Sequence, residues 1–516
     1  MAIAWDTIVV GAGIGGLTAA ATLAKAGLRV LLLEQNPHPG GTAFMYHRRG
    51  FTFPMGPLGF STPGLVKTIL SDLTEKDDLE LCRVHYRVKA FDLDIPLSLT
   101  FPEMVQELAR LFPSQALAVH QFFREIERLI SYQKSPEADT ESTFVEKAAK
   151  LSASAYLDNL VNDARLRRVL GTLGTQEPYA CLPLVGAMWD LMSIQGIWYP
   201  REGMPSFCTR LSHAVTAVRK GRAGITEIRL GTPVATIRTR EGKVQGVCLK
   251  DGTRVDSGSV ISNADYKTTF LKLMRQEDVP EGWYRAVSVA KQTGSVFQVC
   301  LGIDANSADL SQFGHAHRII YRRSTDALPH KQQLDWDIWN IDPEDLAGQE
   351  LEVSLLSRND EALAPKGGAV IVIRTEAGHA HFERFRSAHV KRTPEYMQYK
   401  TRLANALVNE VSCLIPGLDK AVKVMDVATP LTFEDQGGRS GGAVAGWSWN
   451  FEDLRDYLPR ELVRTPVKGL YMAGYQAFSS LFMGGVPTAM QSGTCAASAV
   501  LKGAGPIEHI SLPGVA

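Results

Sequence analysis

Gly11, Gly13, Gly15 and Gly16 cluster near the start of the chain, and Glu34 follows Gly11 by 23 residues. Glycines so spaced let a backbone turn tightly and approach a phosphate closely. A carboxylate at that remove can accept hydrogen bonds from ribose hydroxyls. The chemistry implied is the holding of a dinucleotide. Gln35 adjoins the acid, and Gly40, Gly41 and Thr42 come soon after it. The glycine pair beyond the acid points to FAD rather than NAD.

The surrounding residues predict the elements this placement needs. Ile8-Val9-Val10 is a short apolar run, as a buried parallel strand requires. Ile14 lies in the turn, and Leu17 to Ala26 is rich in Ala and Leu, which favours helix. The free N–H groups of that helix would hold phosphates. Gly27 suits the helix end, and Leu28 to Leu33 reads as a second buried strand ending at Glu34.

A second uncharged tract runs between Lys468 and Lys502, 33 residues without a charge. It predicts a strand ending at Gly474, a loop, and a helix whose N-terminus near Gly485 and Val486 faces the cofactor. A helix N-terminus there would stabilise negative charge. Glycine turns and Pro487 break the tract, which argues against a membrane span despite its length.

The 516 residues are enough for two or more domains. Equal counts of 55 basic and 55 acidic residues argue against a nucleic-acid partner. The seven cysteines are dispersed without a CxxC pair, so neither a disulfide framework nor structural zinc is expected, and a reducing cytoplasm fits. No second complete dinucleotide fingerprint occurs, so redox turnover would need an external electron donor or acceptor. Residues 61–170 read as mainly helical. Residues 203–265 return to α/β character, residues 294–303 and 367–375 read as strands, and residues 393–414 as a helix. The pairs His315/His317 and His379/His381 raise the question of a metal. Residues i and i+2 share a face in a strand, but no supporting Cys or carboxylate pattern accompanies them, and no metal is expected.

These features resemble the phytoene desaturase, carotenoid isomerase and retinol saturase group of FAD proteins. The resemblance rests on Gly11 to Gly41, Gly56-Pro57, Tyr199 to Met204, the Val234 strand, Ser262-Asn263-Ala264-Asp265 and Gly469 to Ser498. It implies an α/β fold of glutathione-reductase or amine-oxidase type. A discontinuous FAD-binding Rossmann-like domain would comprise residues 1–60, 200–292 and 455–516. An α+β substrate domain with a helical lid would comprise 61–199 and 293–454. It further implies that Gly56, Pro57, Val234, Asn263, Ala264, Gly474, Gly485 and Val486 join the fingerprint in holding FAD. Departures accompany it. Tyr475 stands where the group usually has an acid, Thr42 where it usually has a base, and Pro54-Met55 where an aspartate often lies.

The resemblance implies desaturation, saturation or cis–trans isomerisation of double bonds in a long apolar isoprenoid or lipid. Such a ligand needs a mostly apolar tunnel. Phe44, Phe60, Trp189, Trp198, Tyr199, Phe478 and Phe482 are candidates for its wall, and Tyr475 is the candidate catalytic polar group. A peripheral membrane contact through the helical 61–130 region is a further expectation. The alternatives are a flavin amine oxidase, or a non-catalytic lipid or prenyl carrier of the same fold.

Overall fold

The computed structural model describes residues 5–75, 78–134, 144, 147–148, 151–172, 181–217, 225–324, 346–387, 392–448, 461–478 and 485–507. Strand β1 (Thr7–Val10), helix α1 (Ile14–Lys25) and strand β2 (Val30–Leu33) form the opening unit. Both strands are wholly buried, as their apolar runs require. They sit inside a five-stranded sheet. Its order is Leu470–Met472, Val260–Ser262, β1, β2 and Thr226–Arg229, and every pairing is parallel. Strands far apart in sequence thus end on one edge of one sheet. Helix α1 packs between Gly203–Thr216 and Gly485–Leu501. The approach to Gly485–Leu501 is close. A Cβ on Gly493 would lie 3.0 Å from the Ala19 nitrogen, so glycine is needed there.

A second sheet has seven strands, in the order Val422–Ala428, Ser295–Asp304, Gly368–Ala377, Leu351–Leu355, Arg318–Arg322, Tyr86–Ala90 and Leu93–Pro96. Its pairings are antiparallel except that between Tyr86–Ala90 and Arg318–Arg322. Phe297, Val299, Leu301, Ile371 and Ile373 cover one face and form a core with the helix Pro394–Leu414. Cys300, Ile320, Val370 and Val372, on the opposite face, belong to the larger core shared with the five-stranded sheet.

One expectation needs correction. Residues 61–170 are not mainly helical throughout, because Leu81–Val84, Tyr86–Ala90 and Leu93–Pro96 are strands. Tyr86, Val88 and Ala90 are buried while Arg87 and Lys89 between them are less so. That is a period of two, which the interleaved charges disguise. Neither histidine pair lies within a strand. His379 and His381 lie on the short helix His379–Glu383, where i and i+2 point apart, and His315 precedes the strand Arg318–Arg322. No cluster of three or more potential ligands forms among the described residues. No helix among them is long and apolar enough to cross a membrane.

Candidate functional site

One cavity of about 490 Å³ opens at the carboxyl ends of β1 and β2. Its lining includes Gly11, Gly13, Ile14, Gly15, Glu34, Gln35, Gly40, Gly41, Thr42, Gly56 and Pro57. Val234, Asn263, Ala264, Gly474, Tyr475, Gly485 and Val486 line it as well. Of the anticipated FAD contacts only Gly16 is absent from that lining. It is buried, and a Cβ there would lie only 2.0 Å from the Gly11 carbonyl oxygen, so only glycine fits.

The local geometry follows from the glycines. Gly11 turns the chain out of β1 at φ +95°, and Gly40 has φ +105°. Gly40 N–H donates to the Ala12 carbonyl at 2.8 Å, which brings the glycine pair beside the turn. A Cβ on Gly41 would come within 3.1 Å of the Gly13 α-carbon. At the start of α1, Gly13 caps the helix with no side chain, and no acid occupies the first turn. The terminal N–H groups are therefore free for an anion. Asn263 Oδ1 is buried without a hydrogen-bond partner among the described residues, 2.5 Å from where a Gly15 Cβ would sit. Helix donors, bare backbone and an orphaned amide oxygen on one wall fit a dinucleotide's pyrophosphate and ribityl chain.

Glu34 is 4% exposed and structurally engaged. Its Oε2 accepts from Ala12 N–H at 2.7 Å, and its Oε1 from Asn36 N–H at 2.8 Å and Asn36 Nδ2 at 2.9 Å. The carboxylate thus locks the glycine turn to the end of β2 while still lining the cavity.

Tyr475 belongs to a network that sequence reasoning did not assemble. Its hydroxyl donates to Asp265 Oδ2 at 3.2 Å, and Arg439 lies over its ring at 4.6 Å. Burial, reinforced by the Asp265 carboxylate, pushes the phenol well above its usual range. Asp265 also accepts from Ser440 Oγ at 2.5 Å and from Thr268 N–H at 3.0 Å. Arg439 donates to Thr42 Oγ1 at 2.7 Å and to the carbonyls of Ala443 and Val444 at 3.1 and 2.7 Å. Asp265, Arg439 and Ser440 all line the cavity. Their sequence signals were the acid directly after Asn263-Ala264, and an arginine set in Gly437-Gly438-Arg439-Ser440-Gly441-Gly442.

The aromatic wall is not where the sequence suggests. Phe44, Phe60, Trp189, Trp198, Tyr199 and Phe478 do not line this cavity, and Phe482 lies outside the described residues. Trp189 packs on Phe122 and Phe123, and Phe60 on Phe207. The aromatic lining residues are Phe433 and Tyr475. The seven-stranded sheet contributes Val296, Glu352 and Arg374.

Comparison with known proteins agrees with this geometry. Residues 9–73 match the family model of the NAD(P)-binding Rossmann-like domain. A chloroplastic prolycopene isomerase from an Oncidium hybrid cultivar is 25% identical over 92% of this chain and 80% of its own. A lycopene-forming phytoene desaturase from Pantoea ananas is 25% identical over 83% of this chain and 86% of its own. An inactive all-trans-retinol 13,14-reductase from Danio rerio is 25% identical over 96% and 85%. The chain is an FAD-dependent oxidoreductase that resembles the phytoene desaturase, carotenoid isomerase and retinol saturase group. Solved structures carry the fold further. An oxidoreductase from Methanosarcina mazei superposes with a TM-score of 0.62 at 17% identity, covering 96% of this chain and 99% of that one. Putrescine oxidase superposes at 0.61 and 14% identity, covering 97% and 99%. At such identities the likeness is one of fold. This oxidoreductase therefore shares the amine-oxidase architecture, while its sequence relatives are desaturases, isomerases and a retinol reductase.

Proposed function

We propose that this oxidoreductase desaturates, saturates or isomerises carbon–carbon double bonds in a long isoprenoid or lipid substrate. The observation that carries the reading is the composite cavity. One wall is a glycine cradle on a parallel sheet, and the facing wall is a separate sheet free to shape a substrate. When bound, FAD supplies hydride acceptance or donation at its ring. The chain's residues do the rest. Gly11, Gly13, Gly15, Gly40 and Gly41 admit the pyrophosphate, and the first turn of α1 and Arg439 balance its charge. Glu34 holds a ribose, Val234 meets the adenine, and Asn263, Ala264 and Gly474 flank the chain between the two ends. The N-terminus of Gly485–Leu501 stabilises negative charge on the ring. In this reading residues 1–60, 200–292 and 455–516 hold the cofactor, and 61–199 and 293–454 hold the substrate.

Tyr475 keeps its proton, so it acts as a hydrogen-bond donor that fixes Asp265 rather than as a base. The amine-oxidase alternative is less well supported. Lys272, the lysine among the described lining residues, lies on Thr269–Leu273, which packs against the strand Val234–Arg240 and thus sits at the adenine side.

Anaerobic incubation of the oxidised and reduced holoprotein with polyenes and unsaturated lipids tests the proposal. Flavin bleaching with a mass change of two hydrogens marks redox chemistry, and an isomer of unchanged mass marks isomerisation. A purified protein without flavin absorbance would refute the reading in favour of a carrier. Net redox turnover would need an external electron donor or acceptor, which a screen of quinones, oxygen and reductases would identify. Peripheral membrane contact is also proposed. Leu117, 87% exposed at the start of Ala116–Lys134, supports it, and liposome flotation tests it.

A further inference from the structure

The face of the seven-stranded sheet turned toward the cofactor half is charged where a hydrocarbon site needs none. Gln298, Arg374 and Glu352 stand side by side in register across three strands, and Arg318 lies one strand further on. Arg318 is 5% exposed. It donates to the Tyr86 hydroxyl, to Glu352 Oε1 at 3.2 Å and to the Leu58 carbonyl, while its Nε is buried without a partner among the described residues. Arg374 donates through Nε to Gln298 Oε1 at 2.7 Å and through Nη2 to the Gly56 carbonyl. Its Nη1 has no hydrogen-bond partner among the described residues, and the side chain borders the cavity. Arg318 and Arg374 share the one carboxylate of Glu352, while Arg322, Glu350 and Glu376 form a second buried charged group further along the same sheet. A guanidinium nitrogen left unpaired at the cavity is costly unless water or a ligand meets it. A plain hydrocarbon would only remove water from it and increase the cost.

We propose that Arg374, held by Gln298 and flanked by the Arg318–Glu352 pair, receives a carboxylate at one end of the substrate. This rests on the double-bond reading above and narrows its substrate class to unsaturated isoprenoid or fatty acids. A guanidinium with a free Nη1 suits a carboxylate oxygen, and the fixed Nε and Nη2 bonds orient it in advance.

The test titrates the flavin-loaded protein with all-trans-retinoic acid and with its methyl ester, read by perturbation of the flavin spectrum. The acid is expected to bind about tenfold tighter or more, the worth of one charge-assisted hydrogen bond. Arg374→Gln should abolish that preference and leave ester binding unchanged, and Arg374→Lys should keep part of it. Flavin content and melting temperature check that each variant folds. Equal affinity of the wild type for acid and ester would overturn the proposal without any variant. So would a preference that survives Arg374→Gln. A shifted flavin midpoint potential with unchanged preference would assign the arginine to the cofactor and also overturn it. Ester binding without acid preference removes this inference alone. If neither ligand perturbs the flavin or is turned over, the double-bond reading falls and takes the inference with it.

Discussion

Arg439→Gln gives the sharpest test of the cofactor site. The guanidinium joins Thr42 Oγ1 at 2.7 Å, two carbonyls at 3.1 and 2.7 Å, and the Tyr475 ring at 4.6 Å. Glutamine can keep one or two of these contacts but no charge. If the arginine balances the pyrophosphate, its loss removes a charge-assisted contact worth about 1.5–3 kcal/mol. FAD should then bind roughly tenfold to a hundredfold more weakly. The assay is titration of apoprotein with FAD, followed by fluorescence quenching at low and high salt. Riboflavin lacks the pyrophosphate and serves as the control, so wild type and variant should bind it alike. The charge contribution should also shrink as salt screens it. Equal weakening toward FAD and riboflavin would refute the reasoning and leave Arg439 as a fastener of its loop. FAD affinity within about threefold of wild type would do the same.

Gly15→Ala would place a Cβ 2.5 Å from Asn263 Oδ1 and 2.8 Å from the Gly474 nitrogen. Overpacking of about 1–3 kcal/mol should lower the melting temperature and cost retained flavin, and a fully yellow variant with wild-type melting counts against the packing argument. Tyr475→Phe removes a donor to Asp265 that Ser440 and Thr268 continue to serve, so stability should fall by about 1 kcal/mol or less. The pH–rate profile should show no limb assignable to the phenol, and loss of a limb in the variant would restore Tyr475 as an acid or base. Burial alone would raise Glu434, but His379 and Arg386 outweigh it and hold the group at about 2 instead of its usual 4.5. A depressed carboxyl stabilises fully above the unfolded value and loses that contribution as pH falls through the folded one. Melting temperature should therefore drop from about pH 4.5 toward 2, and Glu434→Gln should flatten that slope.

The parts of the site legible in the sequence are those fixed by backbone need. Gly11, Gly40 and Gly474 have positive φ, so composition alone marks their turns. The strands Thr7–Val10 and Val30–Leu33 are buried on both faces, so each reads as an apolar run. The strands Tyr86–Ala90 and Arg318–Arg322 were illegible for the opposite reason. Their cofactor-side or outer positions carry Arg87, Lys89, Arg318 and Arg322, which hide a strand's apolar signal. The expected aromatic tunnel failed because Trp189, Phe122 and Phe123 pack with one another as core, and burial of an aromatic does not reveal what it lines. Arg439 and Asp265 are 174 residues apart, and their meeting at Tyr475 depends on tertiary packing that no local pattern encodes.

Two of the three departures from the group this oxidoreductase resembles, those at Thr42 and Tyr475, share one physical explanation. Thr42 brings no charge, yet its hydroxyl accepts from Arg439, so a cation still stands beside the glycine pair. Tyr475 brings no carboxylate, yet its hydroxyl donates to Asp265, so an anion still stands beside Gly474. Arg439 over the Tyr475 ring couples the two exchanges through a single aromatic side chain. Arg439 and Asp265 thus put a cation and an anion beside positions 42 and 475. The facing sheet carries Gln298, Arg374 and Glu352 where the sequence suggested a plain hydrocarbon wall. Where Arg374 receives a carboxylate, as proposed above, substrate choice should follow that contact rather than the way FAD is held.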